Sequence, residues 1–279
     1  MRILARRVLP VLLVLVLAVL FFRDQQSRIQ SEEISVTDSR IPAGFDGYRI
    51  TLISDLHGGV PGDSGGQRLL SAVAAQSPDL IVLTGDIADE DSGLSFLGPL
   101  ADALTALAPT YYVTGNHEWA TKQVNAIKTV FREHGVTVLE HDVVPLERNG
   151  DVICLLGIDD PNGPHTAQEV LPQMMTDARA AYGAPYTILL AHRNDEYGIY
   201  ARYQVDLTLS GHAHGGLIRL PFTDGLISNH RTLFPDHTAG LYVLDYGQLV
   251  VSRGLGNMEG TFRLFNRPHL PLIVLHSTE

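Results

Sequence analysis

One apolar stretch that ends abruptly in polar residues decides the fold: Asp79-Leu80-Ile81-Val82-Leu83-Thr84-Gly85-Asp86-Ile87-Ala88-Asp89. The run of Leu, Ile and Val between Pro78 and Gly85 is typical of a central strand that is buried on both faces. Ligand sites of open α/β sheets lie beyond the carboxyl ends of such strands. We therefore predict a buried strand that carries Asp86 to the rim of a sheet.

Two further apolar runs in the first half of the chain end in the same way. Residues 48–54 lead into Asp55-Leu56-His57, and residues 110–114 lead into Gly115-Asn116-His117-Glu118. Amphipathic helical patterns lie between these runs, so the first half reads as repeated strand–helix–strand units. Because parallel strands present their carboxyl ends at one edge, we expect these polar residues to meet in one place.

The second half repeats the pattern with histidines. Strand-like runs at 186–191 and 205–210 end at His192 and at Gly211-His212-Ala213-His214. The other elements predicted here are strands at 136–139, 152–158 and 270–276, a helix at about 166–182, and a hairpin of 241–245 with 249–252.

Composition limits the possible partners and the type of metal site. The formal net charge of −11 argues against nucleic acid as the main partner. The length of 279 residues suffices for one large α/β domain. The single cysteine, Cys154, lies in an apolar run and is expected in the core, so the chain can form neither an internal disulfide nor a thiolate zinc cluster.

The N-terminus contains an apolar segment, residues 8–22, that follows Arg2, Arg6 and Arg7. It is shorter than the ~20 residues of an average spanning helix, which favours a signal peptide. No small-x-small cleavage pattern follows it, and Phe21-Phe22-Arg23 resembles an interfacial boundary, which favours a retained membrane anchor. We favour the anchor, and the arginines ahead of it predict an N-terminus in the cytoplasm.

The polar strand ends form a set of metal-binding donors. Three oxygen donors and four imidazoles suit divalent transition ions such as manganese, iron or zinc, and contain too much nitrogen for calcium or for magnesium alone. The set is too large for one ion. Two ions roughly 3.5–4 Å apart, bridged by a carboxylate and a hydroxide, would bind a phosphoryl group. The set comprises Asp55, His57, Asp86, Asn116, His192, His212 and His214.

These residues resemble the motif series of the calcineurin-like metallophosphoesterases: D-x-H, G-D-x-x-D, G-N-H-[DE], a lone H, and G-H-x-H. All five motifs occur in that order between Asp55 and Gly216. The resemblance implies an α/β sandwich of two mixed β-sheets flanked by helices, with the metals at one edge. It implies two metals bridged by Asp86, one held by Asp55, His57 and His214 and the other by Asn116, His192 and His212.

The resemblance also assigns catalytic roles. It implies a metal-bridging hydroxide as the nucleophile, His117 as the general acid, and Asp89 as the carboxylate that orients His117. A neighbouring carboxylate raises the pKa of a histidine and fixes its tautomer, which keeps a proton available near neutral pH. Where many relatives carry arginine after G-D-x-x-D, this chain has Glu90 and Asp91. Their charge favours a phosphodiester or pyrophosphate over a dianionic monoester.

The resemblance extends to Ser252-Arg253-Gly254-Leu255-Gly256. This stretch is similar to the corresponding sequence in the membrane-anchored branch of the family, the YkuE/YaeI-type phosphodiesterases. We accordingly divide the chain into an anchor or uncleaved signal at 1–23, a tether at 24–40 with a short edge strand at 34–36, and a catalytic domain at 41–279. The catalytic domain is expected outside the cytoplasm, at the cell membrane.

Several hypotheses remain open. The substrate can be a lipid-linked phosphodiester or pyrophosphate, as the apolar residues of loop 222–240 suggest a lipid-facing lip; that loop can also be an ordered excursion with its own core. A UDP-2,3-diacylglucosamine-type pyrophosphatase is the second enzymatic hypothesis. A non-catalytic envelope scaffold is the third, although His117 and the complete ligand set argue against it. Arg253 can bind phosphate or form a structural salt bridge, and Glu118 is expected to bond a backbone amide.

Overall fold

Two six-stranded mixed β-sheets pack face to face, with helices on their outer faces. This computed structural model describes residues 2–89, 92–220, 224–227, 232–257 and 260–278, with side chains from Leu9 onward. The predicted α/β sandwich is confirmed. The helices are α1 Arg2–Ser27, α2 Gln67–Ala75, α3 Leu97–Thr105, α4 Asn116–Ala120, α5 Val124–Glu133, α6 Ala167–Tyr182 and α7 Tyr197–Arg202.

The strands alternate with these helices along most of the chain, as the repeated strand–helix–strand pattern predicts. The described strands are β1 Gln30–Asp38, β2 Arg49–Ile53, β3 Leu80–Thr84, β4 Thr110–Val113, β5 Thr137–Val138, β6 Asp142–Arg148, β7 Asp151–Gly157, β8 Tyr186–Leu190, β9 Leu207–Ser210, β10 Ile218–Arg219, β11 Gly225–Ile227, β12 Gly240–Val243, β13 Gln248–Val251 and β14 His269–Ser277.

The first sheet has the order β1-β14-β2-β3-β4-β5, and only the β14–β2 pair in it is antiparallel. The second sheet has the order β12-β13-β9-β8-β7-β6, with antiparallel pairs at its two edges. The parallel centres of both sheets therefore direct the carboxyl ends of β2, β3, β4, β8 and β9 to one edge.

The main core lies between the sheets, and two further apolar layers hold the helices. All five residues of β3 are buried, as expected for a parallel strand covered on both faces. Helices α2, α3 and α5 cover the outer face of the first sheet, whereas α6 and α7 cover that of the second. Cys154 is buried against this last layer, as predicted.

Several elements differ from the sequence prediction. Strand β6 was not predicted, because Pro145 and its charged neighbours mask the alternation; proline is tolerated there since β6 is an edge strand. Strands β10 and β11 were not predicted either, because they are too short to show a hydrophobic periodicity in the sequence. The edge strand expected at 34–36 is longer, since β1 pairs with β14 from Gln30 to Asp38.

Helix α1 continues into the segment treated above as a tether. The part Leu9–Ser27 is long and apolar enough to cross a membrane. Its last two turns pack on the domain, with ring centroids of Phe21 and Phe265 at 5.5 Å and of Phe22 and Phe262 at 6.0 Å.

Candidate active site

Main-chain hydrogen bonds hold the ends of β2 and β3 together. The N–H of Asp55 donates to the carbonyl of Gly85 at 3.0 Å, and the N–H of His57 donates to the carbonyl of Asp86 at 3.0 Å. Gly85 has a φ of +85°, and a Cβ there would collide with the main chain of Gly115 at the end of β4. Glycine at this position therefore lets neighbouring strand ends approach closely.

Glu118 links the main chain after β3 to the main chain after β4. Its buried carboxylate accepts main-chain N–H groups from Asp86 at 3.0 Å, Ile87 at 2.7 Å and Gly115 at 2.8 Å. This is the structural role expected for Glu118. The loops after β3 and β4 are thereby held in a fixed relation to each other.

Five of the predicted site residues have left-handed backbone conformations, which non-glycine residues rarely adopt. Such residues cost of order 1–3 kcal/mol each and cluster at functional sites. Tight main-chain turns thus aim these side chains inward, a feature that periodicity does not predict. The φ values are +50° at Asp55, +47° at His57, +52° at Asp86, +66° at His212 and +48° at His214.

Asp55, His57 and His214 form the first metal-competent group, with one ligand atom from each within 4.8 Å of the others. Nε2 of His214 lies 3.1 Å from Nε2 of His57 and 3.3 Å from Oδ1 of Asp55. All three residues are buried. Two imidazoles and a carboxylate suit a transition ion.

Asp86, His192 and His212 form the second group, and Asn116 adjoins it. Nε2 of His192 lies 3.2 Å from Oδ2 of Asp86, 3.2 Å from Nδ1 of His212 and 3.1 Å from Oδ1 of Asn116. Nδ1 of His192 donates to the carbonyl of Thr84 at 2.8 Å. Because this bond engages Nδ1, Nε2 is the nitrogen that faces the group and is left to bind a metal.

Burial opposes ionisation of Asp86, but the imidazoles of His192 and His57 lower the pKa of its carboxyl below its usual range. The same balance, with His214 as the main partner, lowers the pKa of Asp55. Both carboxylates are therefore charged at neutral pH. A charged carboxylate surrounded by histidines favours divalent cations.

His117 lies beside both groups, and about a third of its side chain is exposed. Its Nδ1 donates to Oδ1 of Asp89 at 2.9 Å, and its Nε2 lies 4.0 Å from Oδ2 of Asp86. The hydrogen bond that His117 donates to Asp89 outweighs burial and raises the pKa of His117 to about 9. The imidazole therefore holds a proton at neutral pH with Nε2 directed towards the second group.

Asp89 has a second partner that the sequence analysis missed. Its Oδ1 also accepts from Nδ1 of His57 at 2.7 Å. That bond leaves the lone pair of Nε2 of His57 facing His214. One carboxylate therefore orients both a candidate ligand and the candidate acid.

Arg193 and Asp160 were also missed. Nε of Arg193 donates to Oδ2 of Asp160 at 2.7 Å, and Nη1 donates to Nε2 of His212 at 3.2 Å. The signal was present, because Arg193 follows His192 directly and Asp160 follows the run at 152–158. The ion pair brings a guanidinium to the rim of the second group, where it can attract an anion.

Arg253 adopts the structural role that was one of its two alternatives. Its buried Nη1 lies 3.4 Å from Oε2 of Glu32.

The predictions that concern Glu90, Asp91 and Phe222 fall outside the described residues. Within loop 222–240, the described Leu233 and Phe234 are 66% and 70% exposed, which agrees with a lip more than with a small core.

A cavity of about 940 Å³ opens at the site. Its wall includes His57, Asp89 and His117 on one side and the glycine-rich loop 58–66 on another. Asn257 also lines the cavity, and its Nδ2 donates to Oε1 of Gln26, near the end of α1, at 3.1 Å.

The fold and this site define a class of protein. Residues 48–216, more than half of the chain, match the Calcineurin-like phosphoesterase family, and the chain belongs to it. The predicted family is confirmed, and the protein is a metal-dependent phosphoesterase. The family is dimetal-dependent, and the two groups above are candidates for its metals. This finding favours the enzymatic hypotheses over the non-catalytic scaffold.

Individual relatives agree with this assignment. The uncharacterized metallophosphoesterase YkuE of Bacillus subtilis is 29% identical over 90% of this chain and 86% of its own length. The phosphodiesterase YaeI of Escherichia coli is 29% identical over 82% of each chain. A transmembrane protein with metallophosphoesterase domain from Danio rerio is 29% identical over 96% of this chain; the chain spans only 62% of that relative's length.

Proposed function

We propose that this protein is a membrane-anchored phosphohydrolase that cleaves a phosphodiester or pyrophosphate bond, with His117 as the general acid. The observation that supports it most is the position of His117, hydrogen-bonded to Asp89 and 4.0 Å from Asp86 at the second metal-competent group. A metal-binding scaffold would need no protonated imidazole at that place.

The metal ligands follow the two groups in the structure. We assign Asp55, His57 and His214 to one ion, and Asn116, His192 and His212 to the other. Asp86 would supply oxygens to both ions; its contact with His192 and its charge support the assignment. When bound, two divalent ions (manganese, iron or zinc) supply an activated water and neutralise charge on the phosphoryl group.

The chain's own residues then act on the substrate. Nε2 of His117 donates its proton to the departing oxygen, while Asp89 holds Nδ1 and stabilises the imidazolium before transfer. Arg193, fixed on Asp160, supports binding of the phosphoryl oxygens from the rim. A single such cation suits a monoanionic diester better than a dianionic monoester.

We further propose that the site faces the membrane surface, outside the cytoplasm. The apolar helix Leu9–Ser27 supports the anchor, and three arginines ahead of it support the orientation. Gln26 near the end of this helix bonds Asn257 in the wall of the active-site cavity. A lipid-linked phosphodiester or pyrophosphate in the outer leaflet is therefore within reach of the site.

The experiment uses the full chain, stripped with a chelator and given manganese, zinc or magnesium. Manganese is expected to restore hydrolysis of bis-p-nitrophenyl phosphate over p-nitrophenyl phosphate. Asp86→Asn should abolish this activity, and His117→Ala should lower it by at least ~10²-fold while two metals remain bound. Asp102→Asn and His134→Ala are matched controls, since this surface His–Asp pair has a similar 2.8 Å contact.

The outcomes separate the hypotheses. Metal binding without cleavage of either ester would contradict the phosphodiesterase proposal, and absence of metal binding would remove its basis. Product analysis distinguishes the second enzymatic hypothesis: UMP and a lipid phosphate identify a UDP-2,3-diacylglucosamine-type pyrophosphatase. The exposed Leu233 and Phe234 of loop 222–240 support this second hypothesis.

A further inference from the structure

A second cavity, of about 420 Å³, adjoins the active site. It lies between the glycine-rich loop 58–66, helix α2 and helix α3, and its volume is in the ~300–1,000 Å³ range of small-molecule sites. Its apolar lining includes Val60, Leu70, Phe96, Leu100 and Ala103. This cavity has no role in the mechanism described above.

The two cavities share one wall. Gly58, Gly59, Val60, Asp63 and Gly65 line both of them. A molecule with its phosphate at the metal-competent groups can therefore extend an apolar part around this loop. The shared wall has little side-chain bulk, because three of its five residues are glycines.

The carboxylate that lines the second cavity is already engaged. The carboxylate of Asp63 accepts the main-chain N–H groups of Arg68 at 3.0 Å and Leu69 at 2.9 Å, which fixes the start of α2. A polar ligand would gain few partners there, whereas an alkyl chain would be removed from water. The chemistry of the wall thus favours a hydrocarbon.

The cavity is also tied to the end of α1. The guanidinium of Arg68 donates to the carbonyl of Ser27 at 3.1 Å and to that of Pro61 at 3.1 Å. Ser27 is the last residue of the apolar helix, and Pro61 belongs to the shared loop. The cavity therefore lies beside the point where the proposed anchor would leave the bilayer.

We infer that this cavity binds one alkyl or acyl chain of the phosphoester substrate while the phosphate occupies the metal site. The inference rests on the proposed function and deepens it by naming the substrate class. The substrate is a phosphoester whose long hydrocarbon chain stays on the phosphate after cleavage. Leu70 and Ala103 are the wall residues at which the space can be changed without touching the metal-competent groups.

The test is hydrolysis of p-nitrophenyl alkyl phosphates, from methyl to dodecyl, by the full chain in a nonionic detergent with manganese. For the wild type, kcat/KM should rise with chain length, by at most about fourfold per buried methylene. Ala103→Trp, which fills the cavity, should remove this rise and change the methyl ester less than about twofold. Ala74→Trp, on the exposed side of α2, controls for detergent partitioning.

A second variant and a second readout keep the test decisive. If Ala103→Trp does not fold, Leu70→Asn makes the wall polar with the same number and branching of heavy atoms and should flatten the same dependence. A dodecyl phosphate with a terminal diazirine should crosslink to α2 or α3 in the manganese-loaded wild type, and less in either variant. Equal chain-length dependence in all variants, or labelling only elsewhere, overturns the inference.

Failure of the proposed function gives a different pattern. If the wild type cleaves no ester, the phosphohydrolase proposal falls, and crosslinking alone decides whether the cavity binds a chain. If the methyl ester is cleaved as well as the dodecyl ester, the phosphohydrolase proposal stands and the chain-binding inference is wrong.

Discussion

Replacing His117 with alanine should cost more activity as the leaving group becomes poorer. Nε2 of His117 is directed towards the second metal-competent group, and Asp89 keeps the imidazole protonated by raising its pKa to about 9. General acid catalysis contributes about 10²–10⁴-fold, or roughly 3–5.5 kcal/mol of barrier. We expect a loss near ~10²-fold for a p-nitrophenyl leaving group, which needs little protonation, and near ~10⁴-fold for an alkyl alcohol.

The assay compares kcat/KM of the wild type and His117→Ala across a series of aryl and alkyl phosphodiesters. Metal content and thermal unfolding of both proteins show whether the site is otherwise intact. His134→Ala, which removes the surface histidine paired with Asp102, should leave the series unchanged. An equal loss for every leaving group would refute proton donation by His117 and reduce its role to binding or charge.

Three further predictions concern the surroundings of the site. Asp89→Asn should weaken the affinity for the first metal by about 10–100-fold, because His57 loses its orienting carboxylate; an unchanged affinity in metal titrations would contradict this. Arg193→Ala should raise KM for diesters by about 10–100-fold, whereas Arg202→Ala, at an exposed position, should not; equal KM values would exclude the phosphate contact. Asp159→Ala should lower the free energy of unfolding by about 1.5–3 kcal/mol in denaturant titrations, since the buried Lys128 Nζ would lose its 2.7 Å partner and retain Glu140 at 3.4 Å; a loss below about 1 kcal/mol would contradict this.

The sequence predicts the strand ends well because periodicity and motif order are local properties. The strands that end before Asp55, Asp86 and His192 occur where the apolar runs placed them. It did not predict the double role of Asp89 or the ion pair of Arg193 with Asp160. These contacts join residues about 30 positions apart, so they depend on how separate loops pack after the sheets have formed.

The position of α1 was the largest difference from expectation, and it bears on how the enzyme meets its substrate. Oε1 of Gln26 accepts from the N–H of Arg263 at 2.9 Å, and its Nε2 donates to the carbonyl of the same residue at 2.6 Å. Asp24 adds a hydrogen bond from Nε of Arg267 at 2.8 Å. A flexible tether would let the cavity face any direction, whereas these bonds fix it relative to the helix. In the orientation that we propose, a lipid-linked ester would reach the site by lateral diffusion and would not have to leave the bilayer completely.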